Sequence, residues 1–384
     1  MIPYGRQTIS EEDIESVVQV LRSDLLTQGP QVPAFEASVA RHVGAPHAIA
    51  VNSATSALHM ACLALDLGPG DWLWTSSNSF VASANCGVYC GAQIDFVDID
   101  PKTYNMSASA LAEKLACAEG AGRLPKVVIP VHFAGQSCDM GAIAALANKY
   151  GFKVVEDASH AIGGLWQGTH VGACRHSDIT VFSFHPVKII TTAEGGLLTT
   201  RDTEIAQKLA DLRSHGITRE ASRFARAGEG AWYYEQQSLG YNYRMTEMQA
   251  ALGVSQMNVL DRFIARRHEI AARYDAGFKD LPIVRPWQHP ASHSAFHLYV
   301  IQVTEAARMD RRQLFDALRS AGILANVHYI PIHLQPFYQR MGFQVGDLPE
   351  AEAYYARAVS LPLYAGLTEA DQDFVIQKIK EFVL

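Results

Sequence analysis

The sequence predicts an α/β protein: a large domain built on a mainly parallel sheet, followed by a smaller α+β unit. Three observations carry this. The first two-thirds of the chain alternates short β-branched runs with longer Ala/Leu-rich stretches, an order from which right-handed crossovers build a parallel sheet covered on both faces. After Gly253 the texture changes to a long amphipathic stretch and then a proline-bearing one. The 384 residues are 48% hydrophobic and 18% charged. That is enough apolar material for a sizeable core, and at roughly 100–200 residues per domain the length suits two domains. The same composition argues against intrinsic disorder and fibrous repeats.

The strands expected in order are 47–52 (HAIAVN), 72–75, 94–98, 126–132, 153–156, 179–184 and 196–200, with helices over 55–67, 82–90 and 140–149 between them. In such sheets ligands collect at the carboxyl ends of the strands. Residues 255–280 read as one long helix, with Met257, Leu260, Phe263 and Ile264 at three- and four-residue spacing. The segment 282–290 (PIVRPWQHP) interrupts the helical pattern. A strand (297–303), a helix (311–321), the segment 324–332 and a terminal helix (369–382) complete a small α+β domain. The boundary is placed near residue 255, giving domains 1–255 and 256–384.

Lys+Arg 32 against Asp+Glu 39 gives a net charge of -7 without a like-charge block, which speaks against nucleic acid or an anionic membrane as the main partner. The N-terminus lacks a basic region followed by an apolar one, and no segment approaches the ~20 apolar residues of a membrane span. Six cysteines without a CxxC pair suit a reducing, cytoplasmic compartment. No HxH, HExxH or Cys/His spacing closes a metal shell, so no metal is expected. GxGxxG, GxSxG and P-loop patterns are absent from the sequence.

Chemistry concentrates in VVEDASHAIGG and ITVFSFHPVKIITTAEGG. Asp157 closes an apolar run and belongs at the carboxyl end of a buried strand; taken alone it could equally cap a helix. Lys188 lies just past the next strand among Phe182, Phe184, Pro186, Val187, Ile189 and Ile190. A lysine buried there must be paired or have a depressed pKa, and a neutral amine is a Schiff-base nucleophile. AVNSATSALHMA adds a strand, a small-residue turn and a helix, whose first amides and the Thr55 hydroxyl can hold a phosphate. A plain Ser/Thr helix cap would look the same. Pyridoxal 5'-phosphate unites the three features: an aldehyde for the lysine, a ring nitrogen for the carboxylate, and a phosphate for the helix N-terminus.

The combination NSATSAL, SFVASAN, VVEDASHA, FSFHPVK-x-ITTAEGG and GYNYRMTEMQAALG resembles the DegT-type nucleotide-sugar aminotransferases, a fold-type I family related in fold to aspartate aminotransferase. The resemblance runs from about residue 2 to 384. Within the family, LTQGP, ASHA, FHPVK, RSHGI and ANVHYIPIHLQPFY resemble the branch that aminates C4 of a UDP-linked 4-keto-6-deoxy-N-acetylhexosamine in pseudaminic acid biosynthesis. Perosamine-type and aminoarabinose-type 4-aminotransferases are the alternative. A sugar 3-dehydrase of this scaffold would carry histidine in place of Lys188, and a non-catalytic regulatory relative would carry an added DNA-binding module.

By this resemblance Lys188 is the cofactor lysine and proton carrier, and Asp157 binds the pyridinium nitrogen. His160, expected at the start of a following helix, lies near the phenolic oxygen. Phe80 stacks on the ring, although an aromatic ending a strand is as readily core. Ala54, Thr55 and Ser183 hold the phosphate, and Asn242 reaches the phosphate of a neighbouring subunit, which implies a homodimer with shared sites. The arginine that clamps the phosphate in amino-acid aminotransferases is missing: none stands between Lys188 and Arg201. Asn242 and Arg244 would otherwise form a polar turn. For the sugar nucleotide the resemblance implies Tyr4, Asp24, Leu25, Leu26, Thr27, Val327, His328, Tyr329 and Ile330, together with Ala54, Ser183 and Asn242. His185 and His215 are further candidates for contacts to the diphosphate or to the amino donor, L-glutamate.

Overall fold

A computed structural model describes residues 1–226 and 228–384. Among the described residues the central sheet has seven strands: β1 (His47–Val51), β2 (Trp72–Ser76), β3 (Gln93–Val97), β4 (Val127–Ile129), β5 (Lys153–Asp157), β6 (Ile179–Ser183) and β7 (Gly196–Thr200). They lie in the order β1-β7-β6-β5-β4-β2-β3. The pairs among β6, β5, β4, β2 and β3 are parallel, and β7 runs against both β1 and β6. Each strand buries both faces, the usual state of a sheet between helical layers. On β6, Val181 packs with Val155, Leu198 and Leu58, while Phe182 turns to the other face with Phe35 and Leu197.

The covering helices are α1 (Glu11–Leu21), α2 (Gln31–Val43), α3 (Ala54–Ala64), α4 (Ala82–Tyr89), α5 (Ala108–Gly120), α6 (Met140–Tyr150), α7 (Thr203–Arg213) and α8 (Glu247–Met257). Starts are written in side chains: Ser53 caps α3, Asp139 caps α6, and Thr246 with Gln249 forms a capping box on α8.

Three expectations are corrected. The helix predicted over 255–280 breaks at Asn258 and Val259 into α8 and α9 (Leu260–Gly277). Met257, Leu260, Phe263 and Ile264 all pack into one core cluster, so the apolar spacing runs through the break and hides it. The run 126–132 yields only a three-residue β4, because Pro130 has no N–H for the ladder; the path continues through His132 N–H donating to Asp157 O at 3.0 Å. No helix follows β5: Ala158–Gly164 is a series of turns, so His160 sits on irregular backbone.

Beyond α9, a three-stranded antiparallel sheet is formed by β8 (Ile283–Val284), β9 (Tyr299–Val303) and β10 (Ala358–Leu361), with β9 central. Helices α10 (Arg311–Ser320) and α11 (Glu369–Val383) share its core with Tyr274 of α9. Arg267 of α9 is buried, and its Nη1 donates to the carbonyls of Phe296 (3.1 Å), His297 (3.3 Å) and Leu363 (3.0 Å). Burial pushes this guanidinium down to about 10. The chain start returns to the same region, where Ile2–Pro3 pairs with Ile323–Leu324 and Leu363 N–H donates to Tyr4 O at 2.9 Å. No helix among the described residues is long and apolar enough to cross a membrane.

Candidate active site

A cavity of about 580 Å³ opens where β1, β5 and β6 end and β7 begins. Tyr4, Ala54, Thr55, Phe80, Asp157, His160, Ser183, His185, Lys188, Val327, His328 and Tyr329 line it. The sheet order explains the convergence: β7 is antiparallel, so its first residue, Gly196, lies opposite both Ser183 and Val51. A side chain at Gly196 would stand 2.4 Å from Ser53 O and 2.6 Å from Ala54 N, so only glycine lets the turn into α3 come this close.

Asp157 ends β5 and is 4% exposed. Its Oδ2 accepts from Ser83 Oγ at 2.7 Å, and its Oδ1 accepts from Ser159 Oγ at 2.6 Å and Ser159 N–H at 3.1 Å. Ser79 extends the chain to Ser83 at 2.7 Å. The carboxylate is thus fixed in orientation at the cavity wall. Glu156, one residue earlier, turns to the other face, as strand alternation requires. There Cys138 N–H donates to His132 Nδ1 at 3.1 Å, so His132 carries its proton on Nε2 and donates it to Glu156 at 2.7 Å.

Lys188 stands on the irregular connection between β6 and β7, with Ile189 and Ile190 buried beside it. Its side chain keeps contact with the cavity, but the surrounding protein desolvates it. Burial pushes the ammonium down to about 8, with Asp157 acting in the opposite direction. An amine in that range has a substantial neutral fraction near neutral pH and is available as a nucleophile.

At α3, hydrogen bonding to the cap starts late: Ser56 N–H donates to Ser53 Oγ at 3.1 Å and Ala57 N–H to Ser53 O at 3.0 Å. The amides of Ala54 and Thr55 precede them at the cavity wall, and helix N-termini attract anions. Phe80 is 58% exposed at the cavity edge, so it is not core.

His160 is buried, and both ring nitrogens are engaged. Ala134 N–H donates to Nδ1 at 3.3 Å, and Nε2 lies 3.1 Å from Tyr329 Oη. Burial, with Lys188 and His328 nearby, holds its pKa well below the usual range. His328 is pushed down to about 3 by burial and by Lys188; its Nδ1 lies 2.8 Å from Ser360 Oγ, and its ring is 5.1 Å from that of Tyr4. Burial raises the phenols of Tyr4 and Tyr329. His160, His328, Tyr4 and Tyr329 therefore add no charge to the cavity near neutral pH.

The remaining sequence candidates lie outside this cavity. Asp24 and Leu25 line a second cavity of about 540 Å³ against α1 and α8. The backbone there is held by α8, through Glu247 N–H donating to Leu26 O at 3.0 Å. Leu26 and Thr27 are exposed, as are Asn242, Ile330 and His215. Asn242 bridges Ser214 through the backbone, and His215 N–H donates to Tyr241 O at 2.8 Å. Conversely, Ser83 and Ser159 on Asp157 and Glu194 in the cavity lining carried no role in the sequence. Ser159 had a signal, since a serine two residues after an aspartate readily bonds its carboxylate.

A buried carboxylate, a desolvated lysine, a helix N-terminus and an aromatic edge around one cavity fit pyridoxal 5'-phosphate. The family model for DegT/DnrJ/EryC1/StrS aminotransferases matches residues 7–380. The spore coat polysaccharide biosynthesis protein SpsC of Bacillus subtilis is 41% identical over 100% of this chain and 97% of its own length. Among solved structures, Helicobacter pylori PseC, an aminotransferase involved in the biosynthesis of pseudoaminic acid, superposes with a TM-score of 0.91 at 32% identity, covering 100% of this chain and 99% of that one. The Streptococcus pneumoniae putative sugar aminotransferase Spr1654, in its PMP form, gives 0.91 at 30% identity over 100% and 99%. The chain belongs to the DegT/DnrJ/EryC1/StrS aminotransferase family and is a pyridoxal-phosphate-dependent sugar aminotransferase of fold type I.

Proposed function

We propose that this enzyme transfers the amino group of L-glutamate to C4 of a UDP-linked 4-keto-6-deoxy-N-acetylhexosamine, in pseudaminic acid or related amino-sugar biosynthesis. The observation that carries the chemistry is the Lys188 amine, pushed down to about 8, in one cavity with Asp157. Likeness to PseC at 32% identity over the whole chain supports the sugar. The 41% identity to a spore coat polysaccharide protein keeps perosamine-type and aminoarabinose-type 4-keto substrates as the second reading.

Bound here, pyridoxal 5'-phosphate supplies an aldehyde for amine exchange and a ring that accepts electron density. Lys188 would hold the cofactor through its Nζ, and the same amine, lowered to about 8, would be the group that takes up and gives back a proton in the cavity. Asp157, fixed by Ser83 and Ser159, holds the ring nitrogen. The Ala54 and Thr55 amides and Ser183 hold the phosphate, and Phe80 covers the ring face. Tyr4, His185 and the Val327–Tyr329 segment bind the sugar nucleotide. In this division residues 1–255 carry the cofactor and 256–384 supply the far wall.

The exposure of Asn242 and its absence from the lining of its own cavity support a site completed by a second copy, in which Asn242 serves the partner's phosphate. Asp24, Leu25, Leu26 and Thr27, held on α8, belong to the same shared surface. Glutamate and sugar nucleotides are metabolites of the cytoplasm, where this enzyme would work.

The test is a panel of UDP-, dTDP- and GDP-linked 4-keto sugars incubated with glutamate and cofactor, followed by mass spectrometry. Selective amination of the UDP-linked N-acetylated 4-keto sugar is expected. Amination confined to a GDP-linked or non-acetylated sugar would replace this assignment by the second reading.

A further inference from the structure

The histidine expected to reach the cofactor has no hydrogen-bonding capacity left. A backbone N–H can only donate, so the 3.3 Å contact from Ala134 assigns a lone pair to His160 Nδ1, and in the neutral ring the proton is on Nε2. That proton points along the 3.1 Å contact to Tyr329 Oη. The phenol oxygen is then an acceptor, and its own hydrogen must turn elsewhere. Further contacts fix the same arrangement. Asn78 Oδ1 accepts from Tyr329 N–H at 3.3 Å, Phe133 packs edge-on against Tyr329 at 6.2 Å, and His297 closes over His160 at 4.3 Å. Gly135 permits this: a side chain there would lie 2.8 Å from Phe296 N and 3.0 Å from both His160 O and His297 N.

We propose that Tyr329 is a positioning residue for the cofactor, aimed by His160 so that its hydroxyl donates to the cofactor's phenolic oxygen. The inference rests on the assignment of Lys188 and Asp157 made above. The phenolic carbon lies between the ring nitrogen and the carbon bearing the aldehyde, so a donor to its oxygen must face both residues. Tyr329 and His160 line one cavity with both: Asp157 and Tyr4 lie near the phenol, and Lys188, His328 and His297 near the imidazole that aims it. Asp157 is oriented by Ser83 and Ser159, and no hydrogen bond joins it to the phenol among the described residues. Burial keeps the phenol protonated, hence a donor.

A donor to the phenolic oxygen is most favourable when that oxygen is an uncompensated anion, which is the state after the lysine-linked nitrogen loses its proton. Tyr329 therefore makes that nitrogen easier to deprotonate. In the cofactor-loaded enzyme, the pH midpoint of the visible absorption change should rise by about one unit in Tyr329→Phe, tenfold in proton affinity. His160→Leu, which leaves the phenol but removes its aim, should raise it less and provides the measurement if Tyr329→Phe does not retain cofactor. A purely structural tyrosine would not move the midpoint. Independently of any cofactor, nitrogen-15 spectra of the unloaded protein should show His160 protonated on Nε2. A midpoint unchanged in both variants, or His160 protonated on Nδ1, overturns the proposal. A wild-type protein without a borohydride-trappable Lys188 adduct would instead remove the Lys188 assignment beneath it.

Discussion

Ser83, on α4, donates its hydroxyl to Asp157 Oδ2 at 2.7 Å, joining a helix that follows β2 to a carboxylate that ends β5. The bond costs Ser83 no competing partner, because Ser79 lies 2.7 Å behind it as the next hydroxyl in the chain. Hydrogen bonds to charged groups contribute about 1.5–3 kcal/mol. Ser83→Ala is accordingly expected to weaken cofactor affinity by roughly tenfold to a hundredfold while leaving the fold intact. Asp157→Asn should lower turnover far more, since it removes the charge opposite the ring nitrogen. Cofactor titration followed by absorbance separates the two, and a Ser83→Ala enzyme with unchanged affinity would refute the role given to this bond.

Lys188 supplies a pH dependence. Burial pushes its amine down to about 8 and Asp157 pulls it up. Attachment of the cofactor needs the neutral amine, so its rate in the unloaded enzyme should rise with pH through about 8 and level off above. Asp157→Asn removes the group that raises the value, so the midpoint should move to lower pH. Stopped-flow absorbance after mixing with pyridoxal 5'-phosphate reads both. A midpoint near 10, the range of free lysine, would show that the side chain is solvated.

The strand-and-helix order was legible because parallel strands buried on both faces leave continuous apolar runs, as in VVED and ITVFS, and because Asp157 and Lys188 sit where such runs stop. What could not be read depends on contacts distant in sequence. Asn258 breaks a helix whose apolar spacing continues unbroken into the same core. The hydroxyl of Tyr329 meets His160 across 169 positions, and no local pattern announces that pairing. The segment 24–27 lies against α8 through a backbone bond to Glu247, and backbone bonds carry no side-chain signature. Polar side chains that serve only to orient another residue, such as Ser83, look in the sequence like ordinary helix serines.

Arg267 is another such residue, one of three basic residues in the run RRH preceded by Ala265. Its Nη1 gathers three carbonyls from two separate segments, Phe296–His297 and Leu363, and thereby ties α9 to the backbone that carries His297 over His160. Arg267→Met keeps much of the volume but leaves these carbonyls without their donor. Leaving a buried acceptor without its donor costs about 1–3 kcal/mol, so a fall in thermal midpoint of a few degrees is expected, with calorimetry as the measurement. Arg267→Lys should lose less, because an ammonium can still donate to part of the set.

A site completed by a second copy, as proposed, would make a prediction that no single-chain defect imitates. Asn242 is exposed and outside its own cavity, whereas Lys188 is inside. If Asn242 serves the partner's phosphate, a dimer of Lys188→Ala with Asn242→Ala contains one site with both residues native and one with both replaced. Each homodimer has only damaged sites. Random subunit exchange between the two inactive proteins should therefore restore about a quarter of the wild-type sites, as expected when a two-fold pair forms statistically. Had Asn242 acted within its own chain, every site in the mixture would remain damaged. Activity assayed after exchange, with subunit mixing verified by mass spectrometry of the intact dimers, distinguishes the two: recovery supports the shared site, and mixed dimers without recovery exclude it.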